Sequence, residues 1–198
     1  MKKLILPLIG SLLFASNLDN VMIEFDKHNY DKVIQLLKQE KENKNIDFLL
    51  GKAYFQRHLT YTDYKFALKY FQKAKTNKSF YYLGKMYELG LGVEKNIPKA
   101  IRYYNMSNTK EAKYELAKFY LNGKYVLKDR KNGLKLLKES AKAGYDKAQF
   151  LLGKLYTTDN DLVEKDLRKA AKWLYLSSHN GNLEAKKLWD KYKLYRFQ

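Results

Sequence analysis

Four aromatic residues are each followed, four positions later, by a lysine: Phe48 by Lys52, Tyr81 by Lys85, Tyr114 by Lys118 and Phe150 by Lys154. Residues at i and i+4 share one face of a helix, so each pair sets an ammonium beside a ring. The charge attracts a carboxylate and the ring supplies apolar contact. That chemistry suits an acidic stretch of a protein or peptide. Packing aromatics beside a merely solvated lysine row give the same pattern, because lysine is frequent in this chain. If such helices stack, adjacent rows lie ~10 Å apart, near the Debye length at physiological salt. Their mutual repulsion is then tolerable without a ligand.

Other chemistry is scarce. The three histidines, His28, His58 and His179, fall in no metal-binding pattern, so no metal is expected. Cysteine is absent, which excludes disulfides, thiolate zinc sites and a cysteine nucleophile. Ser107-Asn108-Thr109-Lys110 has the S-x-x-K form, but S-D-N and K-T-G companions are missing. The tetrapeptide falls at a turn between repeats and reads as coincidence. Nucleophile elbow, phosphate loop and dinucleotide fingerprint are missing too, so neither a catalytic residue nor a cofactor is expected.

The elements that position the four pairs repeat along the chain. Leu50-Gly51-Lys52-Ala53-Tyr54 aligns with Leu83-Gly84-Lys85-Met86-Tyr87, Leu116-Ala117-Lys118-Phe119-Tyr120 and Leu152-Gly153-Lys154-Leu155-Tyr156. The tyrosines step by 33, 33 and 36 residues, a period of helical repeats. A second set follows each: Ala67 to Phe71, Ala100 to Tyr104, Gly133 to Leu137 and Ala170 to Leu174. Every unit therefore holds two helices and a turn. Leu and Tyr four apart fill the seam between helices. The small residue after Leu admits the partner helix, a packing reason for a glycine that otherwise costs ~1 kcal/mol in a helix. The clearest turn is Gly90-Leu91-Gly92-Val93-Glu94-Lys95-Asn96, with matching turns at 122–129 and 157–166.

Only two prolines interrupt 198 residues, and 45% hydrophobic with 30% charged residues is a globular composition. The net charge is +18. The cations are mostly lysine, with arginine at 57, 102, 130, 168 and 196 only. Specific nucleic-acid readers favour the bidentate arginine fork, so no nucleic-acid partner is expected. Met1-Lys2-Lys3, the apolar run Leu4 to Phe14, then Ala15 and Ser16, follow the order of a secretory signal peptide. That run is too short for a bilayer span, which needs ~20 residues. No cysteine follows to carry a lipid, so no stable membrane anchor is expected. A periplasmic or secreted protein of a Gram-negative envelope is the expectation, with residues 1–16 removed.

These residues resemble the Sel-one-like repeat family of the tetratricopeptide-like superfamily. Residues 79–104 carry its pattern most closely, including Leu89-Gly90-Leu91-Gly92-Val93. The stretches 112–144 and 148–181 carry it more loosely, and 46–75 keeps both helices without the glycine turn. The resemblance implies an all-α fold, a right-handed α-solenoid of helix-turn-helix repeats whose first helices line a concave surface. The lysine and aromatic ladder would then lie on that surface and bind a protein or peptide partner of acidic character. Some relatives are described as penicillin-binding or β-lactamase-like, but those carry paired cysteines in every repeat, which this chain lacks. An envelope enzyme of that type, and a binder of cell-wall or anionic glycan, are the alternatives. The expected organisation is a helical cap or degenerate half-repeat at 17–44 and repeats at about 45–76, 77–108, 109–144 and 145–181. A capping helix follows at 182–198. An entry helix or degenerate half-unit is expected over Phe25 to Lys38 and a last first-helix over Asn182 to Tyr195.

Overall fold

A computed structural model describes residues 18–57 and 60–197. The expected signal peptide and His58 lie outside the described residues. Among those described, all regular structure is helical. The helices are α1 (18–26), α2 (Tyr30–Leu37), α3 (Lys44–Arg57), α4 (Tyr61–Ala74), α5 (Asn77–Leu89), α6 (Ile97–Met106), α7 (Lys110–Asn122), α8 (Arg130–Lys142), α9 (Asp146–Leu155), α10 (Leu167–His179) and α11 (Leu183–Lys191). A short 3-10 helix, Leu194–Phe197, ends them. The fold class is the expected one: within each unit, consecutive helices from α2 to α5 and from α6 to α11 pack on one another.

The chain forms two compact units, one through Asn96 and one from Ile97. In the first, α3 packs on α2 and α4, and α5 on α4. In the second, each helix from α6 to α11 packs on the next, and the 3-10 helix packs on α10 and α11.

The helix starts are written in the sequence. Thr60 and Thr76 open α4 and α5 with reciprocal capping boxes to Asp63 and Ser79. Thr109, Asp129, Asp166 and Asn182 each accept a backbone N–H at the start of α7, α8, α10 and α11. Gly90 and Gly123 close α5 and α7 in the left-handed conformation. Gly92 is doubly required. Its φ is +66°, and an added Cβ would lie 2.6 Å from the Tyr64 carbonyl carbon, so the turn after α5 closes onto the backbone of α4.

The seam follows the repeat register. Leu50, Leu83, Leu116 and Leu152 are buried, as are Tyr54, Tyr87 and Tyr156, while Tyr120 is half-buried. Ala67, Ala100, Gly133 and Ala170, which stand early in the second helices, are buried as well. Phe71, Tyr104, Leu137 and Leu174 occupy one register of the second helices and are all 0% exposed. Within the units the small residues meet this layer. An added Cβ at Gly51 would lie 2.7 Å from the Phe71 ring, and one at Gly153 2.7 Å from Leu174 Cγ.

The lead-in segment is two helices, α1 and α2. His28 takes φ +59°, and the Asn29 side chain caps α2 by accepting from Lys32 N. The final helix stops at Lys191 and a 3-10 turn replaces its last residues, with Lys193 at φ +50°.

Candidate binding face

The candidate pairs lie on α3 and α5 in the first unit and on α7 and α9 in the second. On α3, Phe48 is half-buried, 6.0 Å from the rings of both Phe71 and Tyr82. It is a packing residue. Lys52 sits 4.9 Å from the Phe25 ring centroid, a cation–π contact to α1. On α5, Tyr81 packs against Tyr82 at 5.3 Å. Lys85 extends over Phe55 at 5.9 Å and is half-buried, not exposed as its place in the repeat suggested. The rings of Phe55 and Tyr82, 5.1 Å apart, close that side of the first unit and draw the lysine stem over them.

The second unit shows the expected geometry directly at one pair. Lys118 lies 5.4 Å over the ring of Tyr114, its own i−4 neighbour. It also binds Glu115 at 2.5 Å. Tyr114 is half-buried and meets Tyr145 edge-on at 5.3 Å. Burial raises the phenol pKa of Tyr114, with the Lys118 charge acting against it. The Tyr145 hydroxyl is raised too, by burial first and then by Glu115 and Asp146. Both phenols therefore stay neutral donors at physiological pH. On α9, Phe150 is half-buried against the core and Lys154 is exposed. Lys154 makes no ion pair among the described residues. The second unit thus presents Tyr114, Lys118, Phe150 and Lys154 with carboxylates interspersed, and Lys118 is already partnered.

Two features escaped the sequence reading. The first is a row of buried serines seven residues after the small residue of the second helix: Ser107, Ser140 and Ser177. Ser140 Oγ donates to the Lys110 carbonyl at 2.6 Å, and Ser177 Oγ to the Asp146 carbonyl at 3.1 Å. Each ties the end of a second helix to the start of the first helix of its repeat. Their recurrence at a fixed offset was the available signal. The second is a basic groove of about 370 Å³ along α8, lined by Lys131, Leu134, Lys135, Lys138, Glu139 and Lys142. Glu139 pairs with Lys113 at 3.0 Å. That hydrogen bond, with Lys113, Lys135 and Lys142 nearby, holds its carboxyl below the usual range.

The S-x-x-K tetrapeptide is structural. Ser107 is buried with its hydroxyl 3.1 Å from that of Thr109, Thr109 caps α7, and Lys110 Nζ donates to the Gly144 carbonyl at 3.2 Å. His28 lies in the turn before α2, and His179 ends α10. Among the described residues no three His, Asp or Glu side chains converge as metal ligands.

Helix pairs in tandem, small residues at the crossings and glycine-closed turns define a helical-repeat protein. The model of the Sel1 repeat matches residues 48–79, 81–108, 110–145 and 146–182, and the chain belongs to the Sel1 repeat family. Its fold resembles that of a Sel1 repeat protein from Oxalobacter formigenes, with a TM-score of 0.71 at 24% identity, covering 78% of this chain and 47% of that one. It also resembles a protective antigen of uropathogenic Escherichia coli displaying an SLR fold, with a TM-score of 0.66 at 27% identity, covering 77% and 34%. Among curated proteins it is similar to DAP3-binding cell death enhancer 1 of Mus musculus and of Rattus norvegicus, 42% identical over 132 residues. That match covers 63% of this chain, which spans about a quarter of the length of those relatives. Family membership suggests a protein-interaction scaffold.

Proposed function

We propose that this chain is an exported scaffold that captures an acidic segment of a protein partner on its first-helix face. The observation that carries the reading is the arrangement on α7 and α9. Lys118 and Lys154 stand beside half-buried Tyr114 and Phe150, so ammonium groups flank apolar ring surface. Phe48 and Lys52, and Tyr81 and Lys85, stand at the corresponding repeat positions of α3 and α5 in the first unit. The rodent relatives are named for binding a protein, DAP3, which favours a protein partner over a small substrate. The order of charge, apolar run and small residues in 1–16 supports delivery to a Gram-negative periplasm or beyond. No described helix is long and apolar enough to cross a membrane.

Affinity capture with residues 17–198 from envelope extract tests the reading. One protein should be retained saturably and released as salt rises, because exposed charges are screened beyond ~8 Å at physiological ionic strength. Absence of any saturable protein partner contradicts it, and nitrocefin turnover by the purified chain would favour the enzyme alternative. N-terminal sequencing of envelope protein should begin near Ser16 or Asn17, and an intact Met1 on cytoplasmic protein contradicts export.

The α8 groove supports a second location for the same acidic partner. Four lysines line it, against one carboxylate that Lys113 already holds.

A further inference from the structure

A second kind of surface lies in the second unit, where α10, α11 and the 3-10 helix pack together. Between them lies an open cleft of about 410 Å³, within the ~300–1,000 Å³ typical of small-molecule sites. Three rings line it: Tyr175, Trp189 and Tyr195. Tyr175 lies 5.6 Å from Trp189 and 3.8 Å from the His179 imidazole. The polar lining is Ser178, His179, Lys186 and Asp190.

The hydrogen bonds fix what these groups can offer. His179 Nδ1 lies 2.9 Å from the Tyr175 carbonyl, and the Ser178 hydroxyl donates to that same carbonyl at 2.8 Å. A carbonyl only accepts, so Nδ1 carries a proton, and Nε2 is the ring nitrogen left to meet a ligand. Asp190 is an acceptor, and Lys186, four residues earlier on α11, is a donor. The lining therefore carries one ammonium and one carboxylate, a local balance in a chain of net charge +18.

We propose that this cleft binds a neutral saccharide of one or two rings. A sugar ring has an apolar C–H face and a rim of hydroxyls. The face packs on Tyr175 and Trp189, whose flat surfaces give large contact area. Each hydroxyl both donates and accepts, so one functional group satisfies Asp190, His179 Nε2 and Lys186 together. An acidic segment, the partner proposed for the first-helix face, would set a carboxylate against Asp190. A cationic segment would meet Lys186 and the net positive charge. The exposed rings are otherwise costly, for Tyr195 is 57% and Tyr175 38% exposed. A second cleft of about 270 Å³ shares Tyr175 and is lined also by Arg168, Ala171, Lys172, Leu176 and Phe197.

The test is isothermal calorimetry on the full chain with cellobiose, maltose and N,N′-diacetylchitobiose. At least one should bind saturably with a Kd of about 1 mM or tighter. Asp190→Ala, an exposed substitution, should weaken that sugar at least about tenfold while helical content and melting stay unchanged. Trp189→Phe, which keeps a ring, should retain more affinity than Trp189→Ala, and Lys154→Ala should bind as the wild type does. Failure of all three sugars to bind the wild-type chain overturns the proposal. So does equal binding by Asp190→Ala. Partner capture by the first-helix face is read by different variants and stands or falls separately.

Discussion

Gly153→Ala tests the packing logic by the sign of its effect. Gly153 lies inside α9, where alanine in place of glycine gains about 1 kcal/mol in helix propensity. The structure opposes that gain. The new Cβ would lie 2.7 Å from Leu174 Cγ and 3.0 Å from both Leu174 Cδ2 and Leu174 N. Carbon contacts are optimal at about 3.5–4.0 Å, so the overlap approaches roughly 1 Å. Leu174 is fully buried and its backbone belongs to α10, so relief requires a strained rotamer or separation of the two helices. Overpacking of this kind costs about 1–3 kcal/mol. The net effect of Gly153→Ala is therefore between about zero and 2 kcal/mol of destabilisation. Gly153→Leu should reach about 3 kcal/mol, a fall in Tm of roughly 6–12 °C for a chain of this length. Lys154→Leu, at the exposed neighbour, should change stability by less than ~0.5 kcal/mol. Urea denaturation followed by circular dichroism measures all three. Combining Gly153→Ala with Leu174→Ala should show a coupling of about 1 kcal/mol. A Gly153→Ala protein more stable than wild type, or a Gly153→Leu protein that melts with Lys154→Leu, refutes the assignment of that face.

Ser140→Ala should cost about 1–2 kcal/mol by urea denaturation, because it removes the hydroxyl of a fully buried residue that donates to the Lys110 carbonyl at 2.6 Å; a neutral result would mean that tie adds nothing. Arg57→Met should cost about 3 kcal/mol, since Asp63 is 1% exposed and Arg57 Nε binds it at 3.1 Å. Lys27→Met, at the exposed Glu24 pair, should cost less than about 1 kcal/mol, and equal losses would contradict the difference in burial. Stability should fall on acidification. Glu139 is held below its ordinary 4.5 by its hydrogen bond with Lys113, and Asp166 below 3.8 by its hydrogen bond with Lys169. The unfolded chain then binds protons first, so this stabilisation is complete above the ordinary values and lost as pH falls through the folded ones. Urea midpoints that hold steady or rise from pH 5 toward pH 3 contradict it.

The repeat register was legible because burial enforces it. A seam between helices tolerates only Leu, a small residue and Tyr at fixed spacing, and the same rule gives the fully buried row Phe71, Tyr104, Leu137 and Leu174. The fates of the lysines were less legible, because nothing periodic sets their partners. Phe25, which takes Lys52, lies on α1 outside the repeats. Phe55, which takes Lys85, sits in a first helix one residue beyond the repeated motif. The break at His28 is a backbone conformation that no hydrophobic pattern encodes, although Asn29 was a visible helix cap. The C-terminal cleft escaped notice because two of its three rings, Trp189 and Tyr195, come from α11 and the 3-10 helix, beyond the last repeat.

Charge reversal separates the first-helix face from bulk charge and from the α8 groove. Lys118→Glu with Lys154→Glu, and Lys135→Glu with Lys138→Glu, change net charge equally on different helices of the second unit. The wild-type chain's captured partner, once identified and purified, is titrated against both double variants by surface plasmon resonance. Binding through the first-helix face predicts a loss of affinity of at least about tenfold, some 1.4 kcal/mol, for the Lys118 and Lys154 variant alone. Equal loss in both would assign the effect to bulk charge, loss only in the Lys135 and Lys138 variant would move the site to α8, and loss in neither would leave the lysine row as solvated surface.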